Sequence, residues 1–235
     1  MGIRFTISPS VMIPRAPSST LVSAAVQYLL TKSLQKQSLR VLDLGTGSGC
    51  LLISTILKIQ QQYHLQTSSP TSSISTLQSP RIEGVGIDID PDCLKIASNN
   101  AIFHHVDHIT TFIESSFSTF HTHSKLNESS FDVLLCNPPY LPPVHESITT
   151  LQFHDPVLSI YVQDPKQHYI EVIQTLQKRP ELMKVGSKII FEIGNRGWQS
   201  IVESIKIQLG SHGVIDDVLR DSWGGHRAII ITWKS

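Results

Sequence analysis

Short apolar runs alternate along this chain with longer segments whose apolar residues recur at helical spacing. Arg40–Leu44 "RVLDL", Gly84–Ile89 "GVGIDI", Phe131–Cys136 "FDVLLC" and Ser187–Ile193 "SKIIFEI" are near-continuous apolar strands, and Ile109–Ile113 is a weaker one. Between them, Ser48–Ile59, Pro91–Phe103, Lys166–Lys178 and Trp198–Leu209 have helical periodicity. Pro91 suits the first position of its helix, and Pro180 should end the one before it. Strands buried on both sides and separated by helices predict a parallel sheet covered on both faces. Val214–Arg220 and His226–Trp233 are joined only by a "DSWGG" turn, so they must pair antiparallel. The expected fold is α/β, a seven-stranded, mostly parallel sheet with an antiparallel last strand and helices on both faces.

Gln60–Pro80 "QQQYHLQTSSPTSSISTLQSP" breaks the pattern. It is rich in Ser, Thr and Gln with almost no charge, and is read as a surface insertion within one domain of residues 1–235. Hydrophobic content of 40% over 235 residues allows a sizeable core. Nineteen basic and 19 acidic residues cancel, so no global field favours a long nucleic-acid track. Cys50, Cys93 and Cys136 have neither metal nor redox spacing and suit a reducing compartment. No apolar run approaches the roughly 18 residues of a membrane span. Eleven histidines are scattered without partners at metal-ligand spacing, so no metal site is expected. The first acidic residue is Asp43, and residues 1–35 are a basic, Ser- and Thr-rich segment. Such a start resembles an organelle transit peptide and tilts the expected location toward mitochondria, with cytoplasm as the alternative. A short acid-free stretch of folded domain reads equally well.

Two stretches carry candidate chemistry. "LDLGTGSG" (Leu42–Gly49) sits between the first strand and the first helix after it. Glycines there allow a tight turn and close approach of a ligand to the backbone. Asp43 at the strand tip can accept a hydrogen bond from an ammonium group or a water. A ribose-binding acid is expected at the end of the second strand. Asp88 fills that place once the polar insertion is discounted, and Asp90, ahead of Pro91, reads better as a helix cap. An acid-tipped turn suits a cationic, phosphate-free ligand better than a pyrophosphate, so S-adenosylmethionine is the expected cofactor and NAD the poorer fit.

The second stretch ends the Phe131–Cys136 strand on Asn137-Pro138-Pro139-Tyr140. In a sheet of this kind the crevice lies at the carboxyl ends of neighbouring strands, so this loop should face the glycine turn. Two prolines fix the backbone and remove competing N–H donors. The Asn137 side-chain oxygen and the Pro138 carbonyl are then acceptors for the two hydrogens of a planar –NH2, with Tyr140 as a flat wall. This is a clamp for an amide or exocyclic amine held in line with a methyl donor.

"DLGTGSG" with "NPPY" resembles the Rossmann-like class I methyltransferases that modify planar nitrogens. "FTISPSVMIPR" (Phe5–Arg15), "HDPVLSIY" (His154–Tyr161), "FEIG…GWQ" (Phe191–Gln199) and "RDSWGGHRAIIITW" (Arg220–Trp233) are similar to segments of the release-factor glutamine methyltransferases, the HemK/PrmC type. The resemblance implies that Gly45, Thr46, Gly47, Ser48 and Gly49 line the methionine part of S-adenosylmethionine. It implies Asp88 on the ribose, Ser116 and Phe117 beside adenine, and Asn137 to Tyr140 as the catalytic loop on the substrate amide. Arg15 is either a contact to cofactor or substrate or the partner of an acid such as Asp221. The implied substrate is the glutamine of the Gly-Gly-Gln tip of a peptide release factor.

Three departures stand out. The family's "P-E-T-E" after "IPR" is "APSS" here (Ala16–Ser19), the adenine-side acid is Ser116, and a helical N-terminal domain common in the family is not expected in this chain. Alternatives are an exocyclic-amine methyltransferase acting on DNA or RNA, disfavoured by zero net charge, and a non-catalytic relative acting through partners. The need for a partner subunit stays open.

Overall fold

Strand β1 (Ser38–Leu44) shows how this sequence makes its layers. Leu39 and Val41 point to one face of the sheet and Leu42 and Leu44 to the other, and each pair enters a different hydrophobic cluster. The alternation follows from the period of two along a strand. It repeats in β4 (Phe131–Cys136), where Val133 and Leu135 join one cluster and Leu134 and Cys136 the other. The remaining strands are β2 (Arg81–Asp88), β3 (Thr110–Glu114), β5 (Met183–Glu192), β6 (Gly213–Arg220) and β7 (His226–Trp233). A computed structural model describes residues 2–33, 38–67, 80–126, 130–141 and 162–234.

The sheet has seven strands in the order β3-β2-β1-β4-β5-β7-β6. β1 to β5 are parallel, and β7 pairs antiparallel with both β5 and β6. This is the expected architecture. β1 and β4 are neighbours, with Leu44 opposite Cys136, so the glycine turn and the Asn137 loop leave the sheet side by side.

The helices among the described residues are α1 (Ser19–Ser33), α2 (Cys50–Thr67), α3 (Pro91–Phe103), α4 (Gln167–Lys178) and α5 (Trp198–Leu209). α1, α2 and α3 cover one face; α4 and α5 cover the other. Asp90 caps α3 by accepting from Asp92 N at 2.8 Å, as its position before Pro91 implies.

Two elements differ from the sequence reading. α2 runs past Ile59 to Thr67, into the stretch expected to be an insertion. Ile56, Ile59 and Tyr63 continue one buried helical stripe, and glutamine is a good helix former. The rest of that insertion, residues 68–79, lies outside the described residues. α1 was not expected within residues 1–35. Its Leu21, Val22, Ala25, Val26 and Leu29 are all buried against α2 and the sheet. Part of the acid-free stretch before Asp43 is thus a helix packed into the core.

Candidate functional site

The glycine turn is fixed by the chain around it. Gly45 N and Thr46 N both donate to Ile87 O of β2, at 2.8 and 2.9 Å. Gly45 has φ +69° and Gly47 φ +53°, a region that favours residues without a Cβ. A Cβ at Gly45 would lie 3.2 Å from Phe117 Cζ and 3.9 Å from Asn137 O. One glycine therefore marks where the cofactor turn, the residue expected beside adenine and the substrate loop meet.

Asp43 and Asp88 brace this turn. Thr46 Oγ1 donates to Asp43 Oδ2 at 2.7 Å, while Asp43 Oδ1 is buried with no hydrogen-bond partner. Asp43 is fully buried, and that burial pushes its carboxyl up to about 7. Asp88, at the tip of β2, accepts from Gly47 N at 2.8 Å and from Asp90 N at 3.1 Å. Its pKa is raised, chiefly by burial. Ser116 Oγ bonds Thr119 and Ser118 at 2.8 and 3.0 Å, so it serves its own loop. Phe117 meets the ring of His168 edge-on, with centroids 5.2 Å apart.

An N-terminal strap, residues 5–11, lies across the turn. Its clamp is Asn100 of α3, which is fully buried. Asn100 Oδ1 accepts from Thr6 N at 2.8 Å, and Nδ2 donates to Thr6 O and to Ser48 O, each at 2.9 Å. Val11 comes within 3.5 Å of where a Cβ on Gly47 would sit. Sequence reasoning missed Asn100. The signal was present, since Cys93, Ala97, Asn100 and Ala101 form one buried stripe on α3; a polar residue on that stripe must be fully bonded.

On the far side of the crevice, Asn137, Pro139 and Tyr140 are half-buried and Pro138 is buried. The Tyr140 ring packs 3.0 Å from where a Cβ on Gly194 would be. Its hydroxyl donates to Glu192 Oε1 at 3.4 Å. Burial, then the Glu192 charge, pushes the phenol up to about 12, so Tyr140 is protonated at neutral pH. Asp221 pairs with Arg227 (Nη2–Oδ2 3.1 Å), where the sequence had offered Arg15. Arg15 acts on Glu192 and Tyr140, and its positive charge favours their ionised forms. Trp198 stacks on His226 at 4.0 Å, a packing role. Among the described residues no group of His, Cys, Asp or Glu could hold a metal ion, and no helix is long and apolar enough to cross a membrane. Burial pushes the thiols of Cys50 and Cys93 up to about 12 and that of Cys136 well above its ordinary value, so none is a ready nucleophile. The resemblance segment His154–Tyr161 lies outside the described residues.

The RMKL-like methyltransferase domain matches residues 18–185. The chain belongs to this methyltransferase family. A bifunctional methyltransferase of Rickettsia felis is 25% identical to it over 253 residues, covering 97% of this chain and 42% of that protein. A release factor glutamine methyltransferase of Bacteroides thetaiotaomicron is 27% identical over 223 residues, covering 92% of this chain and 68% of that protein. This RMKL-like methyltransferase spans about two-fifths of the length of its Rickettsia relatives. The hMettl16 catalytic domain, solved with a MAT2A 3'UTR hairpin, shares the fold at a TM-score of 0.65 and 14% identity, over 99% of this chain and 74% of that one.

Family and fold together give S-adenosylmethionine as the methyl donor. The residues present fit it. Gly45 and Gly47 carry no side chain, so the backbone of the turn comes close to Phe117 and Val11. Asp88 presents a carboxylate whose two bonded oxygens retain lone pairs for hydroxyl groups.

Proposed function

We propose that this methyltransferase transfers a methyl group to the side-chain amide nitrogen of the glutamine in the Gly-Gly-Gln tip of a peptide chain release factor. The observation that carries the reading is the contact at Gly45, where the Asn137 backbone and Phe117 close on the glycine turn. A planar amide gripped at Asn137–Tyr140 would lie beside a donor held at Gly45–Gly49. The named activity of the Bacteroides relative supports the same substrate.

S-adenosylmethionine, when bound, supplies an electrophilic methyl group on sulfonium. The chain's task is positioning, because a carboxamide nitrogen is a weak nucleophile with a delocalised lone pair. The Asn137 side-chain oxygen and the Pro138 carbonyl would accept the two amide N–H bonds and turn the nitrogen toward the donor. The same two acceptors stabilise the positive charge that grows on nitrogen. The proton leaves to water after transfer. Asp88 would hold the ribose hydroxyls, Phe117 and Ser116 would border adenine, and Gly45 to Gly49 would take the methionine part.

Labelled S-adenosylmethionine and a purified release factor test this, with the Gly-Gly-Gln glutamine changed in a parallel sample. Label that disappears with the glutamine supports the proposal. Label that persists, or that goes to RNA instead, overturns it in favour of another planar amine. A chain that binds no S-adenosylmethionine is a non-catalytic relative. A mitochondrial site of action is part of the proposal on the acid-poor composition before Asp43 alone. Imaging of the tagged full chain checks it.

A further inference from the structure

Glu192 closes β5 beside the loop that ends β4, and it is 2% exposed. Its Oε1 accepts from the Tyr140 hydroxyl at 3.4 Å and faces Arg227 Nη1 at 3.8 Å. Its Oε2 is buried, and the buried Ser18 hydroxyl beside it favours the ionised carboxylate. Its backbone carbonyl is held by the buried Tyr169 hydroxyl at 2.8 Å. A carboxylate this deep is costly to keep.

What it does is connect two structures. Arg227 reaches Glu192 with one nitrogen and Asp221 with two, Nε at 3.2 Å and Nη2 at 3.1 Å. Asp221 in turn accepts from Trp223 N and Gly225 N, at 3.0 and 3.1 Å, which fixes the β6–β7 turn. The chain of contacts therefore runs from a rigid turn through Arg227 and Glu192 to the Tyr140 hydroxyl. Gly194, two residues after Glu192, supplies the flat surface on which the Tyr140 ring rests. The next contact outward pins the other side of the loop, where Val162 N donates to Leu141 O at 2.9 Å.

We infer that Glu192 is a positioning residue for methyl transfer: anchored by Arg227, it holds the Tyr140 hydroxyl and so sets the wall of the Asn137–Tyr140 amide clamp. The inference rests on the proposed function for its consequence in turnover, and not for its structural part. Ionised Glu192 is the better acceptor for the Tyr140 hydroxyl across their 3.4 Å contact. Burial, the first cause acting on it, raises its pKa, while the Ser18 hydroxyl and then Arg227, Tyr140 and Arg15 oppose that rise.

The test is a cycle of Tyr140→Phe, Glu192→Gln and the double variant, read by methyl transfer to the release factor and by amide hydrogen exchange at Tyr140 and Leu141. Gln keeps the shape of Glu, so folding is retained. Each single variant should slow turnover by up to about tenfold, and the double variant should be no slower than Tyr140→Phe, because Gln weakens and Phe removes the same contact. The Michaelis constant for S-adenosylmethionine should stay within about twofold. Both singles should speed exchange at the two amides, Tyr140→Phe at least as much as Glu192→Gln. Multiplicative losses of about a hundredfold in the double variant would overturn the inference, as would unchanged loop exchange in Glu192→Gln. If the wild-type chain labels no release factor, the proposed function fails, and the exchange cycle on the protein alone still decides the role of Glu192.

Discussion

Replacing Asn137 with Ala removes one of the two acceptors of the clamp, and the Pro138 carbonyl already serves the other amide hydrogen. Transfer should fall by a hundredfold or more, on the scale of losing one preorganised transition-state group. S-adenosylmethionine affinity should change little, since Asn137 meets the cofactor turn through its backbone oxygen. Titration calorimetry beside a turnover assay separates the two. Asp43 predicts a pH dependence. Its carboxyl sits at about 7 in the fold against an ordinary 3.8. The folded state holds the proton more tightly, so its contribution to stability is full below about 4 and is lost as pH rises through about 7. Asp88 and Glu192 are raised in the same direction. Thermal melts should therefore fall between about pH 4 and about pH 7 in the wild type, and Asp43→Asn should flatten part of that slope. A wild-type melting temperature that rose over this range would refute the assignment.

At the level of elements, the strap and α3 form one unit with the glycine turn. Asn100→Ala deletes three hydrogen bonds and leaves Ser48 O and both backbone groups of Thr6 to find water. A loss of about 2–4 kcal/mol follows from leaving buried polar groups unpaired. Limited proteolysis should cut the strap early in this variant, and S-adenosylmethionine affinity should drop with it. Asn100→Asp retains the acceptor but not the two donors, so it should fail in the same way. The helices α3 and α5 and the strands β4 and β7 begin and end where periodicity and punctuation place them. α1 was hidden because Ser and Thr dominate its exposed positions, although Leu21, Ala25 and Leu29 kept helical spacing.

For the whole molecule, β7 is the strand on which the edge of the sheet depends. It carries Ile229, Ile231 and Trp233 into the core between β5 and β6. Trp233 is fully buried, stacks on His212 at 5.7 Å and donates from Nε1 to Pro180 O at 3.3 Å. Trp233→Ala should cost about 3–5 kcal/mol and lower Tm by on the order of 10 °C, measured by calorimetry. Loss of α4 and α5 packing should accompany it, because their Ile173, Leu176 and Leu209 share that cluster.

Period and punctuation alone determined the α/β layering, the antiparallel closing pair and the place of both motifs, because strand and helix spacing and turn chemistry are local properties. The pairing of "DLGTGSG" with "NPPY" was legible for the same reason, since both stretches end predicted strands. Only the tertiary structure decided which residues brace them. It placed Asn100 between the strap and Ser48, gave Asp221 to Arg227 instead of Arg15, and buried Glu192 behind Tyr140. Those partners lie between 6 and 94 positions apart along the chain. Their bonds depend on which chain segments the folded sheet brings together, and no periodicity in the sequence encodes that.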